Sequence, residues 1–370
     1  MSTPPTRPDW VPLGGGEGFA TRVVAGVPAT TASAAVPSRS GRPDVPVLAE
    51  RIAAGDRTAL ARGITLVESR AAAHRAAAGE LLELLTPRAG GALRVGITGV
   101  PGGGKSTFID ALGLQLCDSG RRVAVLSVDP SSPVSGGSIL GDKTRMERLS
   151  RHRAAFIRPS PSGCELGGVA RRTRETITLC EAAGFDTVLV ETVGVGQSEV
   201  VVREMVDCFL VLMIAGAGDE LQGIKKGIIE LADVLAVNKA DGDNRQRAEA
   251  TRLEFSRALH YLAASEGAWQ PPVLSCSAAT GWGVPEVWSA VQDFFAHTRR
   301  SGAFAERRRA QALAWLQSLV EQGLQEAFLS NPAVQAARAE LEASVAAGQM
   351  SAPAGAKRLL AAAGLKPVEE

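Results

Sequence analysis

The stretch Gly99-Val100-Pro101-Gly102-Gly103-Gly104-Lys105-Ser106-Thr107 decides the fold. It fits G-x-x-x-x-G-K-[ST], the P-loop pattern. Leu93 to Thr98 before it is a short β-branched run, as a buried parallel strand should be. Phe108 to Leu116 after it spaces its apolar residues with a helical period. A strand, a glycine loop and a helix in this order aim successive backbone N–H groups, and the positive end of the helix, at phosphate oxygens. Lys105 is placed to reach the β- and γ-phosphates and Ser106 to ligate Mg²⁺. The alternative is a glycine-rich turn that binds nothing, and the Lys-Ser pair argues against it.

Working outward, strands and helices alternate across residues 93–298. Arg122 to Val128 reads as a second strand, running into Asp129-Pro130-Ser131-Ser132-Pro133 and then Gly136 to Met146. Phe156 to Pro159 reads as a further strand, and Val169 to Ala183 as a helix. Asp186 to Val190 is an apolar strand with Glu191-Thr192-Val193-Gly194 leaving its end, an acid three positions before a glycine, as in a Walker B strand. Cys208–Ile214 and Val234–Val237 are two more strands, and a helix over 244–264 leads to Pro272 to Ala279. The pattern predicts an α/β fold, a P-loop NTPase with a doubly wound, mostly parallel sheet.

The flanks differ from this middle. Residues 1–46 are proline-rich and aperiodic and are expected to form a disordered tail. Residues 47–92 predict a helical extension, with a break at Gly55-Asp56, Asp56 as an N-cap, and a stop at Thr86-Pro87. Residues 299–370 predict a helical arm, with Leu313, Leu316, Val320 and Leu324 along one stripe and a break at Asn331-Pro332. Packing back onto the sheet and pairing with a second subunit both stay open for that arm.

Composition narrows the function classes. The chain has 370 residues and a formal net charge of +1, which gives no global electrostatic case for nucleic acid or a membrane surface as main partner. No run approaches the ~18 uninterrupted apolar residues of a spanning helix. The 5 cysteines (Cys117, Cys164, Cys180, Cys208 and Cys276) are scattered, without a C-x-x-C pair. An odd, unpaired set points to a reducing, cytoplasmic setting.

Asn238-Lys239-Ala240-Asp241 selects the nucleotide. An aspartate there accepts from guanine N1–H and the exocyclic amine together, whereas adenine would leave it unpaired. The Lys239 stem is placed to cover the base, and Ser277-Ala278-Ala279 is the expected second base-contacting loop. GTP is therefore the expected ligand. Hydrolysis asks the protein to position water and stabilise charge. Ser106, Asp129, Asp142 and Glu191 form the candidate Mg²⁺ set, directly or through water. Lys105 stabilises the phosphates. Gln197 and Lys225 or Lys226 are candidates for stabilising the transition state or for completing the site on dimerisation or partner binding. For the two lysines a solvated helix face is the alternative.

Together these motifs resemble the MeaB/ArgK-type GTPases, P-loop proteins of the SIMIBI class that act as chaperones for methylmalonyl-CoA mutase. The resemblance runs from about residue 47 to the C-terminus. Its most specific pieces are Gly99 to Thr107, Val128 to Ser132, Gly136 to Met146, Arg158 to Gly163, Glu191 to Glu199 and Gln222 to Gly227. It implies an N-terminal helical extension, a C-terminal dimerisation arm and hence a homodimer. It links Asp129, Asp142, Glu191 and Lys225 to Mg²⁺ and switch function. The implied role is GTP-gated delivery and protection of adenosylcobalamin in a cobalamin-dependent acyl-CoA mutase. Cys164-Glu165 replaces the Gly-Thr pair expected in its loop, which puts a partner contact there in doubt. A nickel-insertion GTPase is the nearest rival, but it needs a Cys/His constellation, and 4 histidines with dispersed cysteines offer none. A small-molecule or transport-protein kinase would need an acceptor site and a base, for which no motif is present. Against a non-hydrolysing GTP-dependent module stand Ser106, Asp129 and Glu191.

Overall fold

In the computed structural model the described residues are 44–69, 71–128, 146–159, 166–192, 198–215, 226–262 and 269–365. Their elements begin with helices α1 (Val45–Ala53), α2 (Arg57–Glu68) and α3 (Ala72–Leu85), then strand β1 (Leu93–Gly99) and α4 (Lys105–Asp118). There follow β2 (Val123–Val128), α5 (Glu147–Ser150), β3 (Ala155–Arg158), α6 (Leu166–Ala182) and β4 (Thr187–Thr192). After them come α7 (Ser198–Arg203), β5 (Cys208–Ile214), α8 (Lys226–Glu230), β6 (Val234–Asn238), α9 (Arg245–Leu262) and β7 (Val273–Ser275). The chain continues through α10 (Val284–Ser301), α11 (Ala303–Ser330), α12 (Pro332–Ala346) and α13 (Ala352–Ala362). Among the described residues the sheet has 7 strands in the order β3-β2-β4-β1-β5-β6-β7. All its pairings are parallel. This is the α/β fold of a P-loop NTPase, as the alternation predicts.

Side-chain alternation along the strands gives the sheet two apolar faces. On one, Val95, Ile97, Val123, Val125, Leu189 and Leu210 pack under α4 and α10, through Phe108, Ile109, Leu112, Val287 and Phe294. On the other, Leu126, Val190, Phe209 and Val211 join a cluster that includes Ile52, Leu60, Ile64 and Leu81 of α1–α3. The N-terminal helices therefore belong to the same core as the sheet. Asp56 caps α2 by accepting from Thr58 and Ala59 N–H at 2.8 and 3.1 Å. Helix α1 starts at Val45, two residues before the expected extension, because Asp44 accepts from Val47 N–H at 3.2 Å and caps it.

The arm docks in a way its hydrophobic spacing does not reveal. The stripe Leu313, Leu316, Val320 and Leu324 on α11 is 52–64% exposed and faces away from the sheet. The opposite face of α11 makes the attachment, with Phe304 packed against the core and polar groups beside it. Arg308 donates to both carboxylate oxygens of Asp207 at 2.7 Å and to the carbonyl of Ala92 at 2.7 Å. Gln311 donates to the Val206 carbonyl at 2.8 Å. No helix among the described residues is long and apolar enough to cross a membrane.

Candidate functional site

The carboxyl ends of parallel strands form the edge where α/β sheets hold ligands. The sequence places its phosphate motif there. Gly99 closes β1 at φ 145°, and a Cβ on it would lie 1.9 Å from the Leu212 carbonyl oxygen on β5, so only glycine fits. Gly104 takes φ 83° as the N-cap of α4, so the helix begins at Lys105 and its first N–H groups face the loop. Lys105 is buried, and its ammonium donates to the carbonyls of Gly99 at 2.9 Å and Val100 at 3.2 Å. Burial lowers its pKa, while the neighbouring carboxylates of Glu191 and Glu199 act in the opposite sense. Pro101, Gly102 and Thr107 lie at the exposed rim of the loop, with Gly103 buried beneath it.

Glu191 lies inside β4 rather than beyond its end, in register with Ile97 on β1 and Ser127 on β2. The Ser106 hydroxyl donates to its Oε1 at 2.8 Å. A hydroxyl oxygen and a carboxylate oxygen in contact, next to the lysine of a phosphate loop, are hard donors of the kind Mg²⁺ takes. The residues present therefore fit that ion. Asp129, Asp142, Gln197 and Lys225 lie outside the described residues, as does the Cys164-Glu165 loop.

The end of the site that carries Asn238–Asp241 forms where β6 and β7 finish side by side, Val237 in register with Ser275. Asn238 holds the two loops together. Its Nδ2 donates to the Gly103 carbonyl at 2.8 Å and its Oδ1 accepts from Ala278 N–H at 2.9 Å. Lys239 adopts φ 60°, the one left-handed non-glycine position among the described residues, turning the chain so that Ala240 N–H reaches the Cys276 carbonyl at 3.0 Å. Asp241 then meets Ser277, whose hydroxyl donates to its Oδ1 at 2.9 Å. Ala279 is exposed at the tip. Phosphate loop, Walker-B-like carboxylate and base loops are thus brought to one edge of the sheet.

Three features escaped the sequence reading. Glu199 is 1% exposed and acts electrostatically on Lys105. An acid in the first turn of a helix just beyond Gly194 and Gly196 was the available signal. Trp282 accepts through its carbonyl from Ser277 N–H at 2.8 Å, and the Arg245 guanidinium lies 4.7 Å from its ring centre, bracing the loop that carries Ser277. No motif marks that pair. The third is the amide of Asn238, which serves protein groups at both ends.

Cys276, beneath the base loop, has its thiol pushed up to about 12 by burial, and Cys117 in α4 is pushed up to about 11 by the same cause. Burial thus disfavours the thiolate, the reactive form, in both residues. Iodoacetamide at pH 8 should leave both residues unmodified in the folded protein and alkylate both after guanidinium unfolding, as read by peptide mass spectrometry. Comparable labelling before unfolding would contradict the buried placement.

Comparison with known proteins agrees with this geometry. The model of the family described as methylmalonyl-CoA mutase-associated GTPase MeaB matches residues 60–333. The GTPase ArgK of Escherichia coli is 52% identical over 74% of this chain and 82% of its own length. The methylmalonic aciduria type A homolog, mitochondrial, of Mus musculus is 44% identical over 83% of this chain and 77% of its own. A solved structure titled LAO/AO transport system kinase superposes with a TM-score of 0.68 at 40% identity, covering 86% of this chain and 97% of that one. The chain belongs to the MeaB family of methylmalonyl-CoA mutase-associated GTPases and is a GTP-hydrolysing enzyme with a P-loop fold.

Proposed function

We propose that this GTPase serves a cobalamin-dependent acyl-CoA mutase of the methylmalonyl-CoA type, using GTP hydrolysis to time adenosylcobalamin loading and to protect the loaded enzyme. The observation that carries this reading is the match to a mutase-associated family across residues 60–333. The mouse relative's name, methylmalonic aciduria type A homolog, supports it.

In this reading Gly99–Thr107 cradle the phosphates, and Lys105, held at the loop by the Gly99 and Val100 carbonyls, supplies the positive charge. Ser106 and Glu191, with Asp129 and Asp142, hold Mg²⁺ directly or through water. Bound Mg²⁺ would neutralise charge developing on the phosphate oxygens. Asp241 accepts from guanine, Ser277 fixes the carboxylate, and the Lys239 stem covers the base. Gln197 and Lys225 are assigned to the transition state. The exposed stripe on α11 is the surface that a second copy would cover, making the arm of residues 299–370 a dimerisation element.

The test uses a purified mutase with adenosylcobalamin, its loading and inactivation rates followed with this protein in GTP and in GDP. We expect nucleotide-dependent loading and slower inactivation, both abolished by Lys105→Ala. Mutase rates that ignore the protein would sink the chaperone role and leave the GTPase activity standing.

A further inference from the structure

Ser127 stands out among the buried polar groups of the sheet. It is 3% exposed, near the carboxyl end of β2, and among the described residues its Oγ has no hydrogen-bond partner. Other buried hydroxyls on neighbouring strands are paired, as Thr192 with Thr98 at 2.8 Å. A buried hydroxyl without a partner costs stability that alanine at the same place would not.

Its position gives the hydroxyl something to do. Ser127 is in register with Glu191 on the adjacent strand. In-register residues of parallel neighbours present their side chains on the same face, on strands about 4.8 Å apart. That face is the one under α4, because Val123 and Val125 on β2 and Leu189 on β4 pack with Phe108, Ile109 and Leu112. Ser106 of α4 contacts Glu191 from there. The Ser127 hydroxyl therefore flanks the Glu191–Ser106 pair on its β2 side, while the phosphate loop leaves β1 on the other.

We infer that Ser127 is a positioning residue for hydrated Mg²⁺, its Oγ accepting a hydrogen bond from a metal-bound water. Mg²⁺ gives up its hydration shell reluctantly, so a site of few direct ligands needs polar groups that hold water. Groups of this kind, one step removed from the ion, weaken metal affinity when deleted. The inference rests on reading Ser106 and Glu191 as the metal's own ligands.

The experiment follows release of a fluorescent GDP analogue from the full chain as free Mg²⁺ is titrated with EDTA, in wild type, Ser127→Ala and Ser127→Cys. Wild type should release nucleotide faster as Mg²⁺ falls. Both variants should need about tenfold more Mg²⁺ to reach half-maximal retention. Their metal-free release rates should match wild type, and their melting temperatures without nucleotide should be equal or higher. An unshifted midpoint in both variants, beside a normal wild-type response, overturns the role of Ser127 and leaves Ser106 and Glu191 in place. Faster release in EDTA or lower melting makes Ser127 a packing residue and overturns it too. A wild type indifferent to Mg²⁺ removes the metal site and this inference together.

Discussion

Asp241→Asn should change which base the protein selects. The Ser277 hydroxyl donates to Asp241 Oδ1 at 2.9 Å, and in the proposed reading the second carboxylate oxygen is left for the ligand. Guanine offers that oxygen two donors, N1–H and the exocyclic amine. Asparagine can keep its carbonyl toward Ser277, and its NH₂ then meets those donors head-on. Xanthine carries a carbonyl at C2 and accepts from the same NH₂. GTP affinity should fall by about 10²–10³, below the largest losses seen when polar groups go unpaired, because Asp241 is solvent-exposed. Xanthosine triphosphate should gain relative to GTP. Competition of GTP, ATP and xanthosine triphosphate against a fluorescent GDP analogue reads both changes. A variant that keeps the wild-type order would remove Asp241 from base recognition.

Asp233→Ala should be the most destabilising single change at the base of the arm. The carboxylate accepts from Phe209 N–H at 2.9 Å, from Arg203 at 3.1 Å and from Arg307 at 3.2 Å. Burial raises its pKa, and the two guanidinium groups oppose that rise. Removing it takes this acceptor from Arg203 and from a strand N–H, while Arg307 keeps the Asp207 carbonyl. Breaking a buried pair from one side costs about 3–5 kcal/mol, far above the ~0–1 kcal/mol of an exposed pair such as Arg338–Glu342. Urea unfolding should show the loss as a lower midpoint at unchanged slope. Asp233→Asn, which can still accept from Phe209, should lose less. A midpoint shift no larger than that of Glu342→Ala would show that the cluster does not hold the arm.

The middle of the chain was legible because buried parallel strands carry their signal locally. The runs at β1, β2, β4, β5 and β6 are apolar on both faces and are bounded by turn residues, so their order and type follow from adjacent residues. The arm's docking is not local. Arg308 reaches Asp207, 101 positions earlier, and Gln311 reaches Val206, 105 positions earlier. Its most visible pattern, the leucine stripe, turned out to mark the face that does not dock. In the site, residue types and order were readable, and the roles were only partly so. Asn238 reads as a base contact in N-K-x-D, but its amide is engaged by two backbone groups 135 and 40 positions away. Glu191 was expected past its strand and instead lies within it. Pairing with Ile97 and Ser127 extends β4 by two residues beyond the apolar run.

That amide makes one clutch of two grips. A nucleotide held by its phosphates at Gly99–Thr107 and by its base at Asp241 is gripped by loops that share a single side chain, so loosening either grip disturbs a bond in the other. Release is then expected to proceed as one opening event, with base and phosphates coming free together. Guanosine and pyrophosphate, offered separately, should each bind better in the presence of the other.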